Sequence, residues 1–162
     1  MARYFRRGTT KVFFNPGENS IADKSNPSIS AELGSVIELS CSLAEISGFA
    51  FQNNPIDVPD MCAEFVAKIP GEDTADDSEI TFYEDDTTNP LLTDLAKGNY
   101  GFIMLFPYGT SGTNGSIGAT DDCEVWPGSV AKTTREWSTG NDAAKFMTSF
   151  TITSEPGLAA SI

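Results

Sequence analysis

The fold is decided most clearly by residues 144–154, AKFMTSFTITS, where the character of the side chains alternates along the chain. The side chains expected to face a core belong to Phe146, Thr148, Phe150 and Ile152. Those between them, expected to face outward, belong to Lys145, Met147, Ser149 and Thr151. Because successive side chains of a β-strand point to opposite faces, the pattern predicts a strand with one buried face.

Strand patterns recur along the rest of the chain. Five further segments predict strands: 33–51 (two short strands or one bent strand), 61–69, 79–85, 99–109 and 123–137. The segment MCAEFVAKI alternates and is expected to end at Pro70, before an acidic loop. In EITFYED (79–85), Ile80 and Phe82 share the apolar face. The segment 123–137 is expected to break at Pro127.

One helix is predicted between the strands. Asn89 can serve as its N-cap, Pro90 suits the first turn, and Gly98 stands where a glycine commonly follows a helix. The leucines of LLTDLA would then pack on the core. Short strands with one helix predict a mainly β protein, an antiparallel β-sandwich or barrel with one flanking α-helix.

The chain divides by composition into three parts. Residues 1–31 predict an extended N-terminal arm, because they are basic at first and then rich in Asn, Pro, Ser and Gly. Residues 32–154 carry the strand patterns and form the sandwich domain. Residues 155–162 are expected to form a C-terminal tail that is loose or crosses to a neighbour.

The absence of histidine restricts the possible chemistry. It excludes Ser-His-Asp and Cys-His nucleophilic sites and the commonest zinc ligand sets. The three cysteines, Cys41, Cys62 and Cys123, form no CxxC pair and are expected to be reduced thiols. With no secretory signal or membrane-length apolar run, the chain is expected to be made in the cytosol. Any enzyme of this composition would have to work with carboxylates, Tyr or Lys, and we expect no catalysis, metal or cofactor.

Charge is separated along the chain. The first eleven residues contain four cations (Arg3, Arg6, Arg7 and Lys11) and no acid, so the remainder carries a formal charge of −17 against −13 overall. An acidic body argues against ordinary nucleic-acid binding, which requires cations. We expect the arm to dock on an acidic neighbouring copy through Arg3, Arg6 and Arg7, with Val12, Phe13 and Phe14 burying apolar area beside them.

The sequence indicates other kinds of site only weakly. Acidic loops at 72–77, 84–86 and 121–122 allow calcium binding but lack EF-hand spacing, so a solvated acidic surface is the favoured interpretation. A pair of carboxylates can hydrolyse glycosides, but among 23 acids some pair always qualifies. Trp126 and Trp137 are expected at an interface, with core positions or sugar stacking as alternatives.

Several segments in order resemble the major tail tube proteins of long, flexible-tailed bacteriophages that infect high-GC Gram-positive hosts. They are NPSISAEL (26–33), EISGFAFQNNPIDVPDM (45–61), FVAKIPGEDTADDSEITFYED (65–85), KGNYGFIMLFPYG (97–109) and TREWSTGNDAAKFMTSFTIT (134–153). The segments span most of the chain, and their order and spacing carry the resemblance. The loop at 109–121 has no counterpart in it and is expected to decorate the outside.

The resemblance implies a structural virion protein. Six copies would form a ring, and stacked rings would form a hollow tail tube through which DNA passes without specific binding. Further partners implied are the tape measure, tail terminator and distal tail proteins, with assembly in the host cytoplasm and no membrane. We expect acidic and polar residues to line the lumen, with Glu64, Glu79 and Asp85 as candidates.

Two functions of other classes remain open on the sequence. One is a carbohydrate- or receptor-binding β-sandwich module of a virion, and the other is a carboxylate hydrolase. A binding module would bind a glycan without forming rings, whereas a tube protein would form rings or filaments without a ligand.

Overall fold

The computed structural model describes residues 8–59, 65–85, 89–140 and 142–162. The strands are β1 Lys11–Pro16, β2 Ile37–Glu38, β3 Leu43–Ser47, β4 Phe51–Val58, β5 Ala67–Ala75, β6 Ser78–Tyr83, β7 Tyr100–Phe106, β8 Asp122–Glu136, β9 Lys145–Ile152 and β10 Gly157–Ser161. The helix α1 is Leu91–Asp94, and short 3₁₀ turns lie at Ser40–Ser42 and Thr113–Gly115.

Most strands belong to one antiparallel sheet with the order β2-β1-β7-β8-β9-β6-β3. Strand β8 is the longest and connects two halves of this sheet. Its beginning pairs with β7 on one side and β10 on the other, and its end pairs with β9. We call β2, β1, β7, β10 and the start of β8 the first half, and the end of β8, β9, β6 and β3 the second half.

The sheet folds over so that its two halves pack face to face. Phe14 of β1 and Phe150 of β9 are separated by three strand pairings, yet their ring centroids are 6.3 Å apart. The core between the halves contains Val12, Leu39, Ile80, Phe82, Leu95, Ile103, Trp126, Val130 and Phe146 as well. The predicted antiparallel β-sandwich is therefore confirmed.

A second apolar cluster covers the outer face of the first half. Phe13, Met104 and Val125 of its strands, with Ala160 of β10, are buried there beneath Ile21 and Leu33. The covering residues come from the segment after β1, and Ile162 after β10 packs against the same cluster. The first half is thus buried on both faces, whereas the second half has one buried face.

The positions of β1 and β10 correct the predicted domain boundaries. Residues 11–16 lie between β2 and β7 inside the sheet, so the arm predicted over 1–31 contains an integral strand. Residues 157–161 pair with β8, so the C-terminal tail is part of the sheet and is not loose. Residues 1–7 lie outside the described part of the chain.

Two predicted breaks are absent from the structure. Strand β8 runs continuously through Pro127, which is buried, and β5 runs through Pro70 into residues predicted as an acidic loop. Strand β5 pairs instead with β4 in a separate two-stranded sheet. The predicted strand 61–69 was therefore wrong in its C-terminal boundary, and residues 61–64 lie outside the described part of the chain.

The predicted helix is confirmed at its position but is only four residues long. The Asn89 side chain bonds to the backbone of Asp85 instead of capping the helix: its Oδ1 accepts from the Asp85 N–H, and its Nδ2 donates to the Asp85 carbonyl. Leu95 is fully buried in the core, and Gly98 has φ of +91°. A glycine is suited to that left-handed turn because it lacks a Cβ.

Candidate functional site: surfaces open for assembly

The outer face of the second half is open in this subunit, and we call it the open face. Since paired residues of antiparallel strands share a face, the register places these residues together: Glu45, Ser47, Glu79, Thr81, Tyr83, Lys132, Thr134, Glu136, Lys145, Met147, Ser149 and Thr151. None of these side chains is buried. The face is rich in hydroxyl groups and mixes three glutamates with two lysines.

Glu79, predicted to line a lumen, lies on the open face. Its Oε1 accepts a hydrogen bond from the Ser149 hydroxyl at 3.1 Å across the β6–β9 pair. Asp85 follows two residues after β6 and is exposed at the rim. Glu64 lies outside the described residues. The structure therefore places Glu79 on a polar sheet face, and Asp85 beside the end of that sheet.

The edges of the second half are also open. Strand β3 is an end strand of the sheet, and among the described strands it pairs with β6 alone. Residues 131–136 of β8 pair with β9 on one side, and no described strand pairs with them on the other. An unpaired edge presents free N–H and C=O groups to any strand that approaches it.

The β4–β5 hairpin extends from the sandwich and exposes apolar residues. Phe51 and Ala75 at its base pack on the core. Farther out, the cross-strand pair Ile56 and Ile69 is half exposed, and Phe65 is 80% exposed. A group of exposed apolar side chains on a polar monomer marks an interaction surface. The hairpin is therefore a candidate subunit interface.

The sequence missed this interface because it placed Phe65 and Ile69 on the buried face of an isolated strand. The local alternation gave only part of the signal. Ile56 and Val58 flank Asp57 on β4 and share one face with Ala67 and Ile69 of β5, but this grouping exists only when the two strands pair. An apolar face on a hairpin outside the sheet indicates burial by another chain.

The structure corrects the docking role predicted for Val12, Phe13 and Phe14. Their exposed fractions are 3%, 4% and 0%, because β1 lies inside the sheet with both faces covered. They have no apolar surface left for a neighbouring copy. The other residues of that predicted interface, Arg3, Arg6 and Arg7, lie outside the described part of the chain.

The two tryptophans have different environments. Trp126 is buried in the core, where its ring makes an edge contact with Phe49 and its Nε1 donates to Glu124. Its predicted interface position is therefore wrong. Trp137, just after β8, is 89% exposed and remains a candidate contact residue.

The described residues offer no clustered metal ligands and few reactive side chains. In that part of the chain, no group of three or more His, Cys, Asp or Glu side chains is arranged to hold a metal ion. Cys41 is a free exposed thiol and Cys123 a free buried one. Burial, together with Asp122, Asp121 and Glu124, raises the pKa of the Cys123 thiol to about 12. No helix in the described ranges is long and apolar enough to cross a membrane.

A family model described as phage tail tube protein matches residues 1–162. No curated protein sequence matches the chain significantly.

Solved structures with a similar fold come from injection systems. A chain of the anti-feeding prophage baseplate, 6-fold symmetrised, has a TM-score of 0.62 at 7% identity, covering 95% of each chain. A chain of the sheath/tube terminator of an extracellular contractile injection system, PVC, in its extended state has 0.62 at 10% identity, covering 96% of each. A chain of the PVC sheath-tube complex has 0.57 at 13% identity, covering 95% of this chain and 89% of that one. At these identities the likeness concerns the fold.

Proposed function

The chain belongs to the phage tail tube protein family and has a structural role in the tail tube, and from this premise we propose how its surfaces build the tube. Six copies form a ring, and rings stack into a hollow conduit for the genome. The observation that carries the proposal is the second half of the sheet, which has one open polar face and two open edges. The protein acts by assembly and has no catalytic role.

The ring closes by head-to-tail strand pairing. The edge of β3 in one copy pairs with residues 131–136 of β8 in the next copy, so the two edges of the second half satisfy each other. Such a contact joins two different surfaces, and it closes when the rotation per copy divides the circle. Each copy then contributes four strands to an inner barrel, which removes the free edges.

The open face of the sheet lines the lumen in this arrangement. Its hydroxyl groups and near balance of charges offer DNA few cations to bind, so phosphate is not held as the genome passes. Glu79 contributes to the lining at its centre and Asp85 at its rim. The apolar outer part of the β4–β5 hairpin is buried against a neighbouring copy in the next ring.

The remaining partners follow from the tube itself. A terminator and a distal tail protein cover its ends, and a tape measure protein occupies the lumen before the genome does. The protein is incorporated into the virion tail after synthesis in the host cytoplasm. We retain the proposal that the tail is long and non-contractile and that the host is a high-GC Gram-positive bacterium, on the sequence resemblance given above.

The hairpin contact is tested with two exposed isoleucines. Ile56→Ser should raise the protein concentration needed for tube formation at least tenfold, while the melting temperature of the monomer is unchanged. Ile29→Ser is the matched control, because Ile29 is also exposed but lies outside the hairpin. Negative-stain microscopy and sedimentation measure both. Equal assembly by the two variants would contradict the hairpin interface.

The ring and the lumen are tested by a cryo-EM reconstruction of tubes formed by the purified chain. We expect the β3 edge of each copy to be within hydrogen-bond distance of residues 131–136 of the next. The Glu79 carboxylate should point toward the tube axis. A chain that stays monomeric at all concentrations and salts overturns the assembly proposal, and an outward-facing Glu79 overturns the assignment of the lumen.

A further inference from the structure

A groove of about 850 Å³ lies beside the open edge of β3. Its apolar lining includes Leu43, Phe49, Leu105 and Pro107, all half-buried. Glu45 and Glu124 are the only charged side chains among the described residues that line it. Neither is in an ion pair within the described ranges, where the ion pairs are Lys11–Glu38, Lys68–Asp57 and Arg135–Glu84.

The lining defines the chemistry of the occupant. Half-buried apolar side chains favour aromatic or aliphatic groups, and two carboxylates outside those ion pairs favour cations at the same place. The occupant is therefore a short peptide in which aromatic and cationic residues are adjacent. An acidic or purely polar peptide would leave the apolar surface in contact with water and would be repelled by the carboxylates.

One segment of this chain has that composition. Residues 3–7 read Arg-Tyr-Phe-Arg-Arg, and they contain three of the ten cations in a chain of net charge −13. The seven other cations are scattered along the sequence, and several are engaged. Lys11, Lys68 and Arg135 are in ion pairs, and Lys24 donates to the Glu155 carbonyl.

We propose that residues 3–7 of one copy dock in the groove of a neighbouring copy, with the aromatic rings on its apolar lining and the guanidinium groups near Glu45 and Glu124. The inference rests on the proposed ring, which places a neighbour against the β3 edge beside the groove. Seven residues span at most about 25 Å when extended, which is long enough to cross to an adjacent copy. The aromatic pair takes the apolar role that the sequence had assigned to Val12, Phe13 and Phe14.

The groove also lies beside the start of the chain's own β1. Gly8, Thr10 and Val12 of the same chain line the groove, so β1 begins along its wall. The chain's own residues 3–7 therefore compete with those of a neighbour for the groove, and an intrachain contact is an outcome that the experiment below must separate.

Disulfide trapping tests the proposal in the full-length chain. Phe5→Cys is combined with Ala44→Cys, a groove-lining residue, in a background carrying Cys41→Ser and Cys62→Ser. After oxidation we expect a ladder of linked chains on a denaturing, non-reducing gel. The matched control pairs Phe5→Cys with Asn19→Cys, because Asn19 is exposed beyond the other end of β1, and it should give at least tenfold less ladder.

Two results overturn the inference: a disulfide formed only within single chains, or no disulfide with the groove cysteine. Microscopy of the same samples separates this failure from that of the proposed function, because tubes without a ladder remove the groove contact alone.

A charge-reversal experiment tests the same contact without cysteine variants. Glu45→Lys should raise the protein concentration needed for tube formation at least fivefold. Adding Arg3→Glu, Arg6→Glu and Arg7→Glu should restore the original concentration, and Glu18→Lys should leave it unchanged. Absence of rescue contradicts the contact.

Discussion

The two halves of the sheet differ in whether other parts of the subunit cover their outer face. The first half has apolar residues on both faces, and its outer face is covered by Ile21 and Leu33. The second half has an apolar inner face and an open polar one. Covering the second face of a sheet requires additional residues, and in the described part of this subunit such residues cover only the first half. The uncovered half is therefore the part available to form a common surface with other copies.

Of the substitutions that test this difference, those at two methionines should differ most in their effect on stability. Met104 lies on the covered outer face of the first half, and Met147 lies on the open face of the second. Met104→Lys should destabilise the monomer by about 3–5 kcal/mol, because it buries a charge without a partner. Met147→Lys should change stability by no more than about 0.5 kcal/mol, because its charge is in water. Urea unfolding measures both, and similar losses would contradict the comparison.

Removing part of the cover should have a smaller effect. Deleting residues 157–162 removes β10 and exposes Cys123, at an expected cost of about 2–3 kcal/mol in the free energy of unfolding. The pKa of that thiol should fall from about 12 toward its ordinary value near 8.5. With Cys41→Ser and Cys62→Ser in place, labelling by a disulfide reagent at pH 8 should become at least a hundredfold faster. Unchanged labelling would mean that β10 does not protect the thiol.

The same difference explains how much of the fold could be predicted from the sequence. In the second half, β9 and β6 alternate between apolar and polar residues because one face is buried and one is open. Both strands were predicted within one to two residues at each end. In the first half, Val12, Phe13 and Phe14 of β1 are all buried because both faces are covered. A short apolar run in a polar, basic context carries no periodic signal, and the sequence therefore predicts an arm there.

Of the candidate surfaces, the polar face could be predicted from the sequence, whereas the hairpin and the groove could not. Glu79 was identified because alternation in EITFYED placed it opposite Ile80 and Phe82. The hairpin was missed because the separation of Ile56 and Ile69 from the sandwich depends on long-range pairing, which a local pattern does not contain. The groove combines residues from five separate parts of the chain, including Leu43, Leu105 and Glu124. No local stretch of sequence could therefore have indicated it.

The loop before β8 provides a pH-dependent prediction for the first half. The Asp121 carboxylate accepts hydrogen bonds from the backbone N–H groups of Ser111 and Gly118. Burial alone would raise its pKa, but a hydrogen bond with the Ser111 side chain and these backbone bonds outweigh burial, and the pKa of Asp121 is lowered. Its stabilising effect is therefore complete above the unfolded pKa of about 4, and it is lost as pH falls through the lower folded value.

Asp121→Asn tests this contribution. The Asn amide places its N–H donors opposite the backbone N–H groups. We therefore expect the free energy of unfolding to fall by about 1–2 kcal/mol at pH 7, and by less as the pH approaches 3. Denaturant unfolding as a function of pH measures it, and Asp122→Asn is the neighbouring control because Asp122 is exposed. A loss that does not depend on pH would show that the substitution acts through packing, not through the charge of the carboxylate.

The smallest effect is expected on the open face itself. The Lys145 ammonium lies 5.6 Å from the centre of the Tyr83 ring, and Lys145 is directly opposite Glu136 on β8. The ring contact and the charge opposite it are both in reach of water and salt, so each contributes little to the stability of the monomer. Lys145→Gln should therefore lower the free energy of unfolding by no more than about 0.5 kcal/mol, and about 0.5 M salt should remove most of that difference. If the loss in the isolated subunit instead exceeded about 1.5 kcal/mol and did not respond to salt, Lys145 would be held in a dry environment. The second half would then be covered in the monomer as the first half is, and its outer face would not be free to line a tube.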